Sequence, residues 1–503
     1  MTRNILNINF KKINFTIFLL ATVLTLSGIT HLWNPVGFPD VFFDEGVYMR
    51  RAMHVLNGLG PQEAYFHDHP FFGQIFLAGT LVITGYPNSL NPTSDANSIA
   101  SLYLIPRIIM GILAVIDTFL IYKIAEKRYG TTVAFVASLL FAVMPMTWIL
   151  RRILLDSILL PFLLSSILLA LNTKESKRKK ALVLFSGIFL GIAIFTKIPV
   201  ITMIPLIVYT IRSNMKNAKI LGMWTIPVIS IPLIWPAQSI LAGQFHLWLR
   251  DVFWQANRQG QGLPYISGFF INSDPVLFVL GLFGFIFAFV KKDYFVLLWL
   301  IPFLLFFSII GFAQYFYWIP VLPIFCIAAS ILILDLLKKI NNKKLQQVLT
   351  FIIFSGIGIF GLANTILLIT TDMSSSQFQA AEFVVNYVKN DNNITILSSP
   401  TYSWIFNDVF GTKTPFLDYS DILFAPIPTQ KILLVADQHF MIDITRGKQL
   451  QDVYNNTSII ATFDGKSSRY DLSKYPYHNL AVNNEGSHIE IRTNGWKSQI
   501  LHN

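Results

Sequence analysis

Residues 151–180 read RRILLDSILLPFLLSSILLALNTKESKRKK, and this stretch decides what kind of fold the chain adopts. Between Ile153 and Leu171 the only ionisable side chain is Asp156. As a helix this run of about 19 residues is roughly 28 Å long, close to the ~30 Å hydrocarbon core of a bilayer. It is followed by Lys174, Lys177, Arg178, Lys179 and Lys180, broken by a single acid, Glu175. Lys and Arg collect in cytoplasmic loops, so the basic segment marks the inner end of this span and Arg151, Arg152 and Asp156 mark the outer end.

Working outward, comparable apolar runs cover Ile13–Trp33, Leu102–Tyr122, Thr131–Leu150, Ala181–Phe195, Ile198–Ile211 and Ile220–Leu241. Four more cover Pro275–Val290, Tyr294–Gly311, Phe316–Leu337 and Val348–Thr370. Alternate connections are basic: the N-terminus with Arg3, Lys11 and Lys12, then 123–128, 174–180, 212–219, Lys291 with Lys292, and 338–344. Placing all of these inside gives a polytopic membrane protein, mainly α, of about 11 transmembrane helices, with a cytoplasmic N-terminus and an extracytoplasmic C-terminus. Ile13–Trp33 is followed by no small-residue cleavage site and reads as an uncleaved first helix. Pro70–Tyr86 is also apolar, but counting it would reverse every later loop, so it is expected as a juxtamembrane helix along the interface. The 181–211 hairpin is short for two spans.

Composition agrees. Only 13% of the 503 residues are charged and the mean hydropathy is +0.55, against about 25% charged in soluble domains. The net charge of +11 is accounted for by cytoplasmic loops rather than by nucleic-acid binding. One cysteine, Cys326, excludes an intramolecular disulfide framework and a cysteine-based metal site. Beyond Thr371 the chain turns polar. A Ser374–Ser376 linker, an amphipathic 378–388 and β-like runs at 394–397, 432–435, 459–463 and 489–492 predict a small external α/β domain, residues 372–503, after a catalytic membrane domain, 1–371. Sequons at Asn393 and Asn455 suit that location.

The first external loop, 34–101, carries the densest titratable cluster of the membrane domain: Asp40, Asp44, Glu45, His54, Glu63, His67, Asp68 and His69. Asp44–Leu59 reads as a helix with Tyr48, Ala52, Val55 and Leu59 on one apolar face. Asp44 and Glu45 would sit at its positive N-terminal end, where an ionised carboxylate is favoured; the bland reading of Asp44 is an N-cap. Arg107, Arg151, Arg152, Lys197, Arg250 and Arg258 fall on the same side and are suited to holding a phosphate, Arg by its fork and Lys as a point charge. Snorkelling to lipid headgroups is the rival reading for Arg151 and Arg152, and Asp156 is a possible partner for them. The i, i+2 spacing of His67 and His69 is weak for a metal, and none is expected as cofactor. Tyr315–Trp318 fits an interfacial aromatic belt.

The order FxDEGVY (Asp44, Glu45, Tyr48), HDHPFFG (His67–Gly73), a span opening at Arg107 and closing at EKRYG, RRILLDSILLPF (Arg151–Phe162) and TK (Thr196, Lys197) resembles the protein O-mannosyltransferase and aminoarabinose transferase group of GT-C fold glycosyltransferases. The resemblance covers roughly the first 215 residues. It implies a dolichyl- or polyprenyl-phosphate sugar donor, a GT-C fold with juxtamembrane helices, and a protein, lipid or glycan acceptor. It also implies Asp44 as the catalytic carboxylate, Glu45 as its companion and Asp156 as a second acid nearby. Tyr48, His67 and His69 then become substrate-binding residues, and the cations named above hold the donor phosphate. His69-Pro70-Phe71-Phe72 departs from the family's His-Pro-Pro-Leu, and a short α/β domain stands in place of the carbohydrate-binding module of many eukaryotic mannosyltransferases. Two other readings compete. A lipid-linked sugar transporter or flippase without transferase activity is disfavoured by the absence of paired halves. A receptor or assembly protein would explain the tail but not the Asp-Glu and Arg-Arg pattern.

Overall fold

The computed structural model describes residues 2–494 except 63–66, 91, 216–217, 259, 261, 390–393, 413–415, 419–430, 438–447, 468 and 470–486; side chains of 2–14, 218 and 416–418 are likewise outside the description. Glu63 and Asn393 therefore lie outside the described residues.

The helices in chain order are α1 Thr2–Leu32, α2 Phe43–Leu56, α3 Phe72–Ile83, α4 Ala96–Ser101, α5 Leu104–Tyr129, α6 Thr131–Val143 and α7 Leu155–Asn172. Then come α8 Lys179–Thr196, α9 Ile204–Asn214, α10 Ala218–Ser230, α11 Ile234–Leu241, α12 Phe245–Ala256 and α13 Leu263–Ser273. The helical bundle closes with α14 Pro275–Lys291, α15 Tyr294–Ile310, α16 Leu322–Lys338 and α17 Lys343–Ile369. All eleven apolar runs are helical. Among the described residues seven are long and apolar enough to cross a membrane, or eight if the pair Thr131–Val143 and Pro145–Arg151, bent by 69°, is one span. Ile198–Asn214, Pro275–Lys291 and Tyr294–Ile310 are shorter apolar helices. The protein is thus a multi-pass membrane protein. α3, with 12 residues and ~18 Å of length, is too short to cross.

Small residues let the helices approach closely, as van der Waals packing in lipid requires. A Cβ on Gly187 or Gly191 of α8 would lie 2.5 Å from the backbone oxygen of Trp224 or Pro227 on α10. One local expectation is corrected. α2 stops at Leu56 rather than Leu59, because Gly58 adopts φ +73, a left-handed conformation that ends helices, and Leu59 is left exposed. Cys326 is fully buried in the core.

After α17 the chain forms α18 Ser375–Val388, β1 Ile394–Ser398, α19 Pro400–Trp404, β2 Phe416–Asp418, β3 Lys431–Asp437, α20 Lys448–Asn455, β4 Ser458–Phe463 and β5 Ile489–Thr493. The sheet order is β2-β1-β3-β5-β4, with β1 parallel to β2 and β3, and β5 antiparallel to β3 and β4. Val384, Val385 and Val388 of α18 are buried among Ile394, Ile396 and Ile491, the amphipathic pattern meeting the alternation of the strands. Ser374–Ser376 is no loose linker. The Ser374 hydroxyl donates to the Val36 carbonyl at 2.6 Å and the Ser376 hydroxyl to Ser487 at 2.8 Å. This unit packs directly on α2: a Cβ on Gly46 would meet the Pro400 oxygen at 2.1 Å, so only glycine permits the approach.

Candidate active site

Asp44 and Glu45 are neighbours in the first turn of α2, about 100° apart on the helix, and the structure gives them opposite fates. Both oxygens of the buried Glu45 are saturated. Oε1 accepts from Arg107 Nε at 3.1 Å and from the Ile153 backbone N–H at 3.0 Å. Oε2 accepts from Arg107 Nη2 at 2.9 Å, Arg152 Nη1 at 3.3 Å and the Phe42 backbone N–H at 3.0 Å, which caps the helix. Arg107 also donates to the carbonyls of Pro35, Pro39 and Asp40 at 3.1, 2.7 and 2.9 Å. Arg152 bonds the Asp40 carbonyl at 2.8 Å and the Asp40 carboxylate. Arg151 donates to the carbonyls of Thr30, Trp33 and Asn34 and lies 5.2 Å over the Phe38 ring. Three buried guanidinium groups thus hold the 30–42 backbone against the bundle, with their charge compensated as burial demands. Arg151 and Arg152, 1% and 0% exposed, do not snorkel to lipid.

Asp44 keeps its carboxylate out of this network; among the described residues it accepts no hydrogen bond. Burial pushes its pKa up to about 6, Lys197 and Arg258 pull it down, and Asp68 and Asp156 push it further up. Those residues are therefore within electrostatic reach of one another. One turn on, Tyr48 is buried on the same face, its hydroxyl pKa raised by burial and then by Asp44.

The opposing wall comes from the break between α8 and the 3-10 turn Ile198–Met203, where Lys197 leaves the helix in an extended conformation. Its ammonium lies 2.5 Å from Asp156 Oδ2 and 4.0 Å from the centre of the Tyr317 ring. Asp156 thus partners Lys197 rather than the two arginines. Tyr317 belongs to the buried turn Tyr315–Val321, so Tyr315–Trp318 lines the interior instead of forming an interfacial belt. The reason is that the turn is wedged between α7, α13 and the Pro145–Arg151 turn, with Trp318 Nε1 donating to Ile266 at 2.9 Å. Tyr317, expected in an interfacial belt, is an aromatic face beside the acids and cations. The cue was an aromatic run whose composition suits either belt or interior.

A third side is the segment 67–69. Burial raises the Asp68 carboxyl pKa, but Arg51 at 2.7 Å and His69 outweigh it, so Asp68 titrates below the usual range. Burial lowers the His69 pKa to about 4, leaving it neutral at physiological pH. His67 faces Asp251 of α12, whose Oδ2 accepts the His67 backbone N–H at 2.6 Å. Just beyond α12, Arg258 lies 3.9 Å over Phe312 and 4.8 Å over Trp254. Among the described residues, no group of three or more His, Cys, Asp or Glu is placed to hold a metal ion.

The structure therefore brings Asp44, Tyr48, Asp156, Lys197, Arg258 and His69 to one place. Glu45, Arg107, Arg151 and Arg152 form the buried frame behind it. Sequence reasoning placed Asp40 and Asp68 in the titratable loop without a role, read Tyr317 as part of an interfacial belt, and did not single out Arg51.

The profile of the dolichyl-phosphate-mannose-protein mannosyltransferase family matches residues 97–237. ArnT from Cupriavidus metallidurans, solved with undecaprenyl phosphate, superposes with a TM-score of 0.58 at 12% identity, covering 96% of this chain and 98% of that one. The archaeal oligosaccharyltransferase AglB from Archaeoglobus fulgidus, solved with an inhibitory peptide and a dolichol-phosphate, gives a TM-score of 0.51 at 11% identity. That match covers 80% of this chain and 64% of AglB, so the chain spans under two-thirds of that relative's length. No curated protein sequence matches the chain. The fold is the GT-C fold that this chain shares with these two solved structures.

Proposed function

We propose that this protein moves a sugar from a polyprenyl- or dolichyl-phosphate donor to a hydroxyl of a protein, lipid or glycan acceptor, on the non-cytoplasmic face, with Asp44 as general base. The observation that carries this is the division between adjacent acids: Glu45 is fully bonded, while Asp44 is half-buried, accepts no hydrogen bond among the described residues and is raised to about 6. Such a carboxylate is ionised at neutral pH yet basic enough to take a proton, the condition for general-base catalysis.

In the step, the acceptor oxygen bonds to the anomeric carbon as its proton passes to Asp44. The bond from that carbon to the phosphate oxygen breaks, and its electron pair leaves on the lipid phosphate. Arg258 and Lys197, the cations on the Asp44 side, bear the growing charge, and Asp156 orients the Lys197 ammonium from 2.5 Å. Arg107, Arg151 and Arg152 serve by fixing the loop, which supports a structural part for them rather than contact with phosphate. Tyr48, Tyr317, His67 and His69 shape the space for the sugar. The helices hold the prenyl chain beside the loop, so donor and acceptor meet in fixed orientation.

The reading is tested with wild-type and Asp44→Asn protein given prenyl-phosphate sugars in membranes. Transfer should fall by at least ~100-fold, the scale of a lost general base, with no drop in thermal stability since a half-buried carboxylate with no hydrogen-bond donor to lose has been neutralised. Substantial transfer by the variant removes Asp44 as base. Movement of the lipid across the bilayer without transfer replaces the reading with a transporter.

A further inference from the structure

We propose that the C-terminal unit positions the catalytic loop through Gln377, whose side-chain amide clamps the Val41 peptide three residues before Asp44. The inference rests on the reading of Asp44 given above. Gln377 is fully buried in the first turn of α18. Its Oε1 accepts the Val41 backbone N–H at 2.7 Å, and its Nε2 donates to the Val41 carbonyl at 3.0 Å. One amide thus satisfies both backbone groups of one residue, as a neighbouring β-strand would. The same Nε2 donates to Asp437 Oδ2 at 3.0 Å, at the end of β3, and the Tyr402 hydroxyl donates to that oxygen at 2.5 Å. The clamp is therefore held from behind by two further elements of the C-terminal unit, β3 and α19.

Docking alone does not require it. The unit is tied to the rest of the chain elsewhere, by Met373 N–H to Gly37 at 2.8 Å, Tyr103 to the Thr401 carbonyl at 3.2 Å and Asn386 to Ser94 at 3.1 Å. What Gln377 adds is local. Asp40 is fixed by Arg152 on one side and Phe42 by Glu45 on the other. Val41, between them, is fixed by Gln377. Glutamate lacks the donor, asparagine is a methylene too short to reach both groups, and alanine leaves a buried N–H and C=O unpaired, which the loop can relieve only by shifting toward water. A shift of that kind moves the first turn of α2 and Asp44 with it. Gln377 is thus a positioning residue, and its loss falls on turnover rather than on donor binding.

The test uses the full chain in lipid nanodiscs, comparing wild type, Gln377→Ala and Asn386→Ala. Gln377→Ala is expected to lower kcat at least tenfold with the donor KM within twofold, and to speed amide exchange at least tenfold over residues 41–47. Asn386→Ala, which loosens a contact of the same unit away from the loop, should leave kcat, KM and that exchange within twofold of wild type. Unchanged kcat, or unchanged exchange over 41–47, in Gln377→Ala overturns the proposal. If Gln377→Ala does not fold, Tyr402→Phe removes one support of Asp437 and should lower kcat about threefold; an unchanged kcat there overturns it equally. Absence of transfer by wild type counts against the glycosyltransferase reading instead. The exchange measurement then decides whether the clamp exists: local acceleration supports it, and no change overturns it.

Discussion

Asp44 and Glu45 differ by one methylene and one position, yet Glu45 is a buried strut while Asp44 accepts no hydrogen bond among the described residues. The pH dependence of turnover should report this. Burial raises Asp44 to about 6, so lowering the pH through that value protonates the base. Turnover should therefore fall about tenfold per unit below pH 6 and level off above it. His69, held neutral by burial down to about 4, adds no limb in that window. A profile flat between pH 5 and 7 would remove Asp44 as the titrating group. The Asp-Glu pair is legible in the sequence, as is its place at a helix N-terminus. Its division of labour is not. That depends on Arg107, 62 residues away, and Arg152, 107 residues away, both reaching Glu45. The macrodipole argument favoured ionisation of both acids, whereas for Asp44 the larger effect is burial, which opposes it.

At the scale of elements, the frame of Glu45, Arg107, Arg152 and Asp40 joins α2, α5 and the α6–α7 break. Glu45→Gln should destabilise the fold by about 3 kcal/mol, the scale for removing one partner of a buried ion pair. The check is a lower midpoint of thermal unfolding, in contrast to Asp44→Asn, which should show none. A midpoint unchanged by Glu45→Gln would mean the carbonyl contacts of the two arginines suffice. The apolar runs were legible because a bilayer admits one simple pattern, a long uncharged helix. The Tyr315–Trp318 turn was not, since a belt and an interior wall draw on the same aromatic residues. Only the neighbours packed on them, such as Lys197 on Tyr317, tell the two apart. The end of α2 was misplaced because the 3.6-residue spacing continues to Leu59 past a glycine that stops the backbone.

For the whole molecule, the alternating basic loops supply an orientation that can be read chemically. Cys326 is fully buried, so a membrane-impermeant maleimide will report mainly on introduced cysteines. Gln451→Cys, on exposed α20, should label in intact cells. Lys177→Cys, in the basic segment, should label only after permeabilisation. The reverse pattern would invert the topology. Division into a helical part and a polar tail was legible from composition. The way the tail grips the first loop was not, because a pairing 336 residues apart leaves no local trace.

That separation bears on how the protein is made. Asp44 and its loop are among the first segments to leave the ribosome, while Arg107, Arg152 and finally Gln377 follow in that order. Each arrival pins the loop at one more point, and the last comes only after every membrane helix has been synthesised. A nascent or truncated chain ending before α18 can hold the acids and both arginines and still lack the final restraint on Asp44. If the clamp acts as proposed, completion of translation and acquisition of turnover are coupled.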